Sequence, residues 1–229
     1  MRTIKTLVTV LALGLGMVAP ALADGKTDAD ELVQEAVFTV ERMRSHERHG
    51  EKVEHYMKRA KAVFIVPEML KGAFLIGGEG GSGVLLARAD NGQWSYPAFY
   101  NIGSGSFGLQ VGAQSSEVML IVMTGKGLSA ILDRKVTLGG DISAAAGPIG
   151  EGMEASTTTN LDADVLAYST AKGAFIGASV EGAVIWPSED DNQAYYGAGA
   201  KPKDIILNGK YRNGSSDSLR ELLASFKKN

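Results

Sequence analysis

The chain has 229 residues, no cysteine, 29 glycines and a formal net charge of −3. Without cysteine it carries neither a disulfide nor a lipid-modified N-terminal cysteine. Mild acidity with no long basic block excludes nucleic acid as the expected partner.

Residues 1–23 read as an export signal. Arg2 and Lys5 form a positive start, an apolar run follows over 6–18, and Ala21-Leu22-Ala23 is a small-residue cleavage site. The run is short of a membrane-spanning helix, so cleavage after Ala23 is predicted. A secretory peptide of bacterial type places the mature chain in the periplasm or outside the cell. Residues 24–229 are then one domain, and loss of Arg2 and Lys5 takes the formal charge from −3 to −5.

The spacing of Leu32, Val33, Ala36, Val37, Val40 and Met43 predicts a helix over 28–45, opened by an Asp28/Glu31 capping box. A second helix is predicted over 51–64, with Val53, Tyr56, Met57, Ala60, Val63 and Phe64 on one side and Pro67 as its stop. Lys52, Arg59 and Lys61 border that stripe, and Lys58 lies behind it. From 72 to about 207 the pattern is mainly β. Strands are expected at 73–76, 84–88, 107–112, 117–123, 136–142, 153–158, 165–170, 174–180 and 184–186. One helix interrupts them at 126–132, capped by Thr124. A last helix carries a Ser218/Glu221 capping box and the stripe Leu219, Leu222, Leu223, Phe226. The fold class is α+β: a glycine-rich antiparallel β core, sandwich or barrel, with two N-terminal helices and one C-terminal helix.

The stretch 71–114 organises the rest. Its short apolar runs are separated by glycine clusters, and between them 94–100 forms an extended aromatic connection whose rings need burial. Gly78-Glu79-Gly80-Gly81-Ser82-Gly83 and Gly103-Ser104-Gly105-Ser106-Phe107-Gly108 both match a dinucleotide-binding pattern. Each runs into strand residues rather than opening a helix, so neither is read as a nucleotide site. Lys71-Gly72-Ala73-Phe74 returns as Lys172-Gly173-Ala174-Phe175, as two similar hairpins would.

Candidate chemistry is sparse. His46, His49 and His55 gather near the junction of the first two helices and read as an exposed turn rather than a metal site. With no cysteine and no histidine after His55, a nucleophile lacks a nearby base. Glu79, Glu151, Glu154 and Glu181 read as solvent-facing residues beside glycines. Glu189-Asp190-Asp191-Asn192 reads as a solvated loop without calcium-ligand spacing, and Asn213-Gly214-Ser215 as a turn. No catalytic residue, metal or cofactor is expected. The second helix is the most suggestive feature: an apolar stripe edged by bases suits an anionic membrane surface, although core packing is the commoner fate of such a stripe.

Several motifs occur in a telling order: Ala62-Val63-Phe64-Ile65-Val66-Pro67, Lys71-Gly72-Ala73-Phe74, Trp94-Ser95-Tyr96-Pro97-Ala98-Phe99-Tyr100, Leu138-Gly139-Gly140-Asp141, Ala146-Gly147-Pro148 and Tyr195-Tyr196-Gly197. In this order the chain resembles the SYLF domain family, also known as the actin-binding domain of yeast actin-patch proteins, over about 31–207. The resemblance implies a non-enzymatic domain that binds anionic phospholipid. By position and residue type, that role falls on Lys52, Lys58, Arg59, Lys61 and Lys71. An exported chain meets no actin, so phospholipid is carried over and actin is not. The alternative is a structural or envelope-stress protein that binds another protein.

Overall fold

Residues 62–66 are apolar without interruption, and Val63, Ile65 and Val66 are β-branched. Such a run suits a strand buried on both faces. In the computed structural model, which describes residues 20–74, 76–106, 112–148, 162–170 and 181–227, it opens β1 (Ala62–Phe74). The second helix therefore does not reach residue 64. It is α2 (Gly50–Met57), and it follows α1 (Pro20–Ser45). Helix 1 begins upstream of the expected capping box, so Asp28 and Glu31 lie inside it. Pro67 does not stop a helix either. It sits within β1 where the pairing register shifts, which is where a strand tolerates a residue without an N–H.

β1 pairs antiparallel with β2 (Ile76–Ala87) on one side and β4 (Gly112–Val122) on the other, and β2 pairs with β3 (Ala98–Ser106). After α3 (Gly125–Asp133) come β5 (Val136–Thr137), β6 (Ala144–Ala146), β7 (Val165–Ser169) and β8 (Val184–Pro187). Together they make one curled eight-stranded sheet in the order β5-β8-β3-β2-β1-β4-β7-β6, antiparallel except for β6–β7. The predicted strand 136–142 shrinks to β5 and a Leu138–Ile142 bridge around a turn that needs Gly139 at φ +80°. The expected strands 153–158 and 174–180, residues 107–111 and the second Lys-Gly-Ala-Phe copy lie outside the described residues.

The glycine clusters do not end strands. Gly77 to Gly83 lie inside β2: Gly77, Gly78 and Gly80 pair in register with β1, and Gly81 and Gly83 lie opposite its irregular part. There the backbones approach closely: a Cβ on Gly81 or Gly83 would stand 2.3 Å from the carbonyl oxygen of Glu68 or Ile65.

Alternation along the strands supplies two cores. One face carries Phe64, Val66, Leu85, Tyr100 and Leu120 and packs on Ile131 and Leu132 of α3 and on Ile205 and Ile206 of α5 (Pro202–Ile206). The opposite face carries Val63, Ile65, Leu86, Phe99, Met119 and Ile121. It is covered by α1 and α2, and by Leu219, Leu223 and Phe226 at the C-terminus. The last helix, α6 (Asp217–Ala224), follows a 3-10 turn (Gly214–Ser216), so Ser218 is inside it rather than capping it. Thr124 does cap α3: its hydroxyl accepts from Gly127 N at 3.0 Å.

Residues 189–192 are not a loop. They open α4 (Glu189–Tyr196), where three carboxylates in the first turn complement the helix dipole. Asn192 is fully buried, and its amide grips Phe99 of β3, accepting from the N–H at 3.0 Å and donating to the carbonyl at 2.9 Å. The aromatic connection buries as expected, with Trp94, Phe99 and Tyr100 inside and Tyr96 at the border.

Candidate functional site

Three of the five expected basic residues, Lys58, Arg59 and Lys61, lie where α2 hands over to β1, and Lys52 lies in the first turn of α2. Val53, Tyr56 and Met57 are buried against the sheet, so the apolar face of α2 belongs to the core. Lys52 and Lys58 are half-buried, and Arg59 and Lys61 are exposed. The backbone beneath them is fixed. Arg59 N donates to Tyr56 O at 3.0 Å, Lys61 N to Val122 O at 2.8 Å, and Arg88 N to Lys61 O at 2.8 Å. Among the described residues, the side chains of Lys52, Lys58, Arg59 and Lys61 have no ion-pair or hydrogen-bond partner. Arg44, Lys126, Arg134, Lys203 and Lys210, by contrast, each hold a carboxylate at 2.5–3.2 Å.

Lys71 does not join them. It lies far along β1, in register with Glu79 of β2 and Gln114 of β4. At roughly 3.3 Å per residue it stands on the order of 30 Å from Lys61. Read as following a helix, Lys71 would be a neighbour; the strand carries it away.

Sequence reasoning missed Arg88. It follows directly on the buried end of β2, and its guanidinium ties three segments together. Nη1 donates to Lys58 O at 2.8 Å and Nη2 to Phe226 O at 3.0 Å, while the group lies 4.6 Å from the Trp94 ring centroid. Burial lowers its pKa from the usual arginine value. A charged residue ending an unbroken apolar run was the available signal.

The expected exposed turn holds only in part: His55 is exposed and His46 half-buried, but His49 is not exposed. His49 is 2 % exposed, stacks on His46 with centroids 3.8 Å apart and meets Tyr168 at 5.6 Å. Burial first, and then the charges of His46 and Arg48, pull its pKa from 6.5 down to about 4. Among the described residues, no group of three or more His, Asp or Glu side chains could hold a metal. Glu79 is also buried rather than solvated, with Ser104 Oγ donating to its Oε1 at 2.8 Å. Glu181 is exposed as expected, and Glu151 and Glu154 lie outside the described residues. No helix among the described residues is long and apolar enough to cross a membrane.

Residues 103–226, more than half of the chain, match the family Ysc84, described as "Las17-binding protein actin regulator". The chain belongs to the Ysc84, or SYLF, family. It is similar to the human "SH3 domain-containing YSC84-like protein 1", 30% identical over 173 residues, which is 75% of this chain and 50% of that protein. "LAS seventeen-binding protein 3" of Saccharomyces cerevisiae is 36% identical over 159 residues, 68% of this chain and 34% of its own length. "Protein YSC84" of the same organism is 35% identical over 175 residues, covering 75% and 37%. The chain thus spans half or less of these curated relatives. The family match begins within β3, so α2 and its bases lie outside the matched segment.

Proposed function

We propose that the chain is an exported, non-enzymatic domain that binds anionic phospholipid at a membrane surface through Lys52, Lys58, Arg59 and Lys61. The observation that carries this reading is the set of four cationic side chains without partners among the described residues, one in the first turn of α2 and three on the hydrogen-bonded corner that leads from α2 into β1. Unpaired bases on fixed backbone can meet anionic headgroups without first breaking internal ion pairs. The apolar stripe of α2 is already buried, so attraction is electrostatic rather than insertional, and Lys71 is too far away to share in it. Export rests on residues 1–23. The relatives bear names of binding and regulatory proteins, in keeping with a non-enzymatic role.

Those names also favour a second reading. A relative called a LAS seventeen-binding protein points to a protein partner, and the same corner could receive an acidic one. Liposome co-sedimentation separates the two. Phosphatidylglycerol vesicles are compared with phosphatidylcholine vesicles at low and high salt, for the wild type and a Lys58→Ala/Arg59→Ala/Lys61→Ala variant. Lipid binding predicts sedimentation with the anionic vesicles alone, weakened by salt. With each base near the surface contributing about one kcal/mol, the triple variant should bind on the order of a hundredfold more weakly. Unaltered binding by the variant would reject the site. No binding to any vesicle would favour the protein partner.

A further inference from the structure

Beside the basic corner lies a groove of about 570 Å³, a volume that suits a small ligand or headgroup. It runs between the end of β2, the connection at 94–96, α3, and the segment that leads from α5 to α6. Arg88, Arg212 and Arg220 line it, and among the described residues no aspartate or glutamate does, although the chain as a whole has a formal charge of −3.

Two of these arginines are held in place by the aromatic connection. Arg88 lies over Trp94 at 4.6 Å and Arg220 over Tyr96 at 4.0 Å. Arg220 Nε also donates to Trp94 O at 3.1 Å, and its Nη1 donates to Asp217 Oδ1 at 2.7 Å. Stacking and hydrogen bonding thus fix both guanidinium planes before any ligand arrives, which lowers the ordering cost of binding. Each guanidinium has five N–H donors. The contacts with Lys58, Phe226, Trp94 and Asp217 occupy only some of those on Arg88 and Arg220. Arg212 is exposed and has no partner among the described residues. Leu207, 59 % exposed, supplies an apolar wall beside the three charges.

We infer that this groove binds a phosphate ester. Three guanidinium groups from three separate segments match an anion with oxygens pointing in several directions better than a planar carboxylate, which one fork can satisfy. Asp217 neutralises part of Arg220, so Arg88 and Arg212 carry most of the excess charge. The ester can come from a lipid headgroup or from a soluble phosphorylated compound; the chemistry of recognition is the same. The groove does not depend on the membrane reading and shares none of the side chains assigned to it.

Calorimetric titration of the chain with sn-glycerol 3-phosphate, inorganic phosphate and acetate tests it. The glycerol phosphate should bind saturably at one site, and acetate at least about tenfold more weakly, equivalent to about 1.4 kcal/mol. Arg88 and Arg220 also tie chain segments together, so the decisive variant is Arg212→Glu, at a side chain that is exposed and has no partner among the described residues. It should lose at least tenfold in affinity with an unchanged Tm. Absence of saturable binding by the wild type, or equal binding by Arg212→Glu, would overturn the inference. The Lys58→Ala/Arg59→Ala/Lys61→Ala variant should retain glycerol phosphate binding whether or not it binds vesicles, which keeps the two sites separable. Displacement of glycerol phosphate by phosphatidylglycerol vesicles would assign the ester to lipid; failure of the vesicles to displace it would assign it to a soluble compound.

Discussion

The two ends of the long strands β1 to β4 are built from opposite materials. At the near end, Phe64, Ile65, Leu85, Leu86, Phe99, Tyr100, Leu120 and Ile121 are buried, and helices cover both faces. At the far end the same strands carry Gly78, Gly80, Gly103 and Gly105, together with Lys71, Glu79, Ser104 and Ser115, and Leu70 is 54 % exposed. Hydrogen bonding is continuous along β1 and β2 across both regions apart from the register shift. Strand pairing is common to both ends, so side-chain burial is the feature expected to set a difference in local stability between them. Both the basic corner and the arginine groove sit at the near end, where packing can hold charges in fixed positions.

The largest expected effect tests that difference directly. Phe64→Ala removes a fully buried ring at the near end and should cost about 3–5 kcal/mol. Leu70→Ala, six residues further along the same strand, should change stability by no more than about 0.5 kcal/mol. Urea unfolding of the two variants gives both values. A large loss from Leu70→Ala would mean that something covers the far end in solution, and the contrast between the ends would fail.

The same contrast explains what could be read from the sequence. Where one periodicity dominated, the elements were legible. The stripe Leu219, Leu223, Phe226, the Thr124 cap, and the apolar runs of β7 and β8 fall where predicted. The failures come from residues that satisfy two patterns. Val63 and Phe64 continue the helical spacing of Val53, Tyr56 and Met57, yet they belong to a strand buried on both faces. Glu189-Asp190-Asp191 is polar enough for a loop and equally suited to a helix N-terminus; only the burial of Asn192 against β3 decides between them. At the candidate site, Lys58, Arg59 and Lys61 were visible because they are neighbours in sequence. Arg88, Arg212 and Arg220 were not, since only the folded chain brings them to one groove.

A second prediction concerns a titratable group buried at the near end. His49 is neutral and covered in the native protein, whereas in the unfolded chain it takes a proton near its ordinary pKa of 6.5. The unfolded state therefore binds more protons between pH 6.5 and about 4, and stability must fall as the pH drops through that window. Below about 4 the native state also takes the proton and the loss levels off. The full effect is about 3 kcal/mol, accumulating at about 1.4 kcal/mol per pH unit. Asp164 acts at lower pH. Burial alone would raise its pKa, but hydrogen bonds from Thr124, Ser143 and Lys126 outweigh burial and hold it below the usual carboxylate value of 3.8. Its stabilisation is complete above that value and lost as the pH falls through its lower native pKa. Urea unfolding at pH 7 and pH 5 should show the His49 slope in the wild type and a flatter one in His49→Leu. An unchanged slope in the variant would place the acid sensitivity elsewhere.

The smallest effect is also the sharpest comparison, because it makes the same chemical change at both ends. Neither Gly83 nor Gly105 occupies a positive φ, so an added methyl group meets only what surrounds it. At Gly83 a Cβ would stand 2.3 Å from Ile65 O and 2.9 Å from the Phe64 ring, inside a packed layer that cannot move aside without disturbing the core. Gly83→Ala should cost about 1–3 kcal/mol. At Gly105 a Cβ meets nothing within 4 Å among the described residues, and the loss of unfolded-state freedom should make Gly105→Ala neutral or stabilising by up to about 1 kcal/mol. Opposite signs in the two midpoints would mean that glycine permits close packing at the near end and merely leaves room at the far end. Equal losses would mean that the far end is packed as tightly as the near one, by contacts its glycines and polar side chains do not reveal.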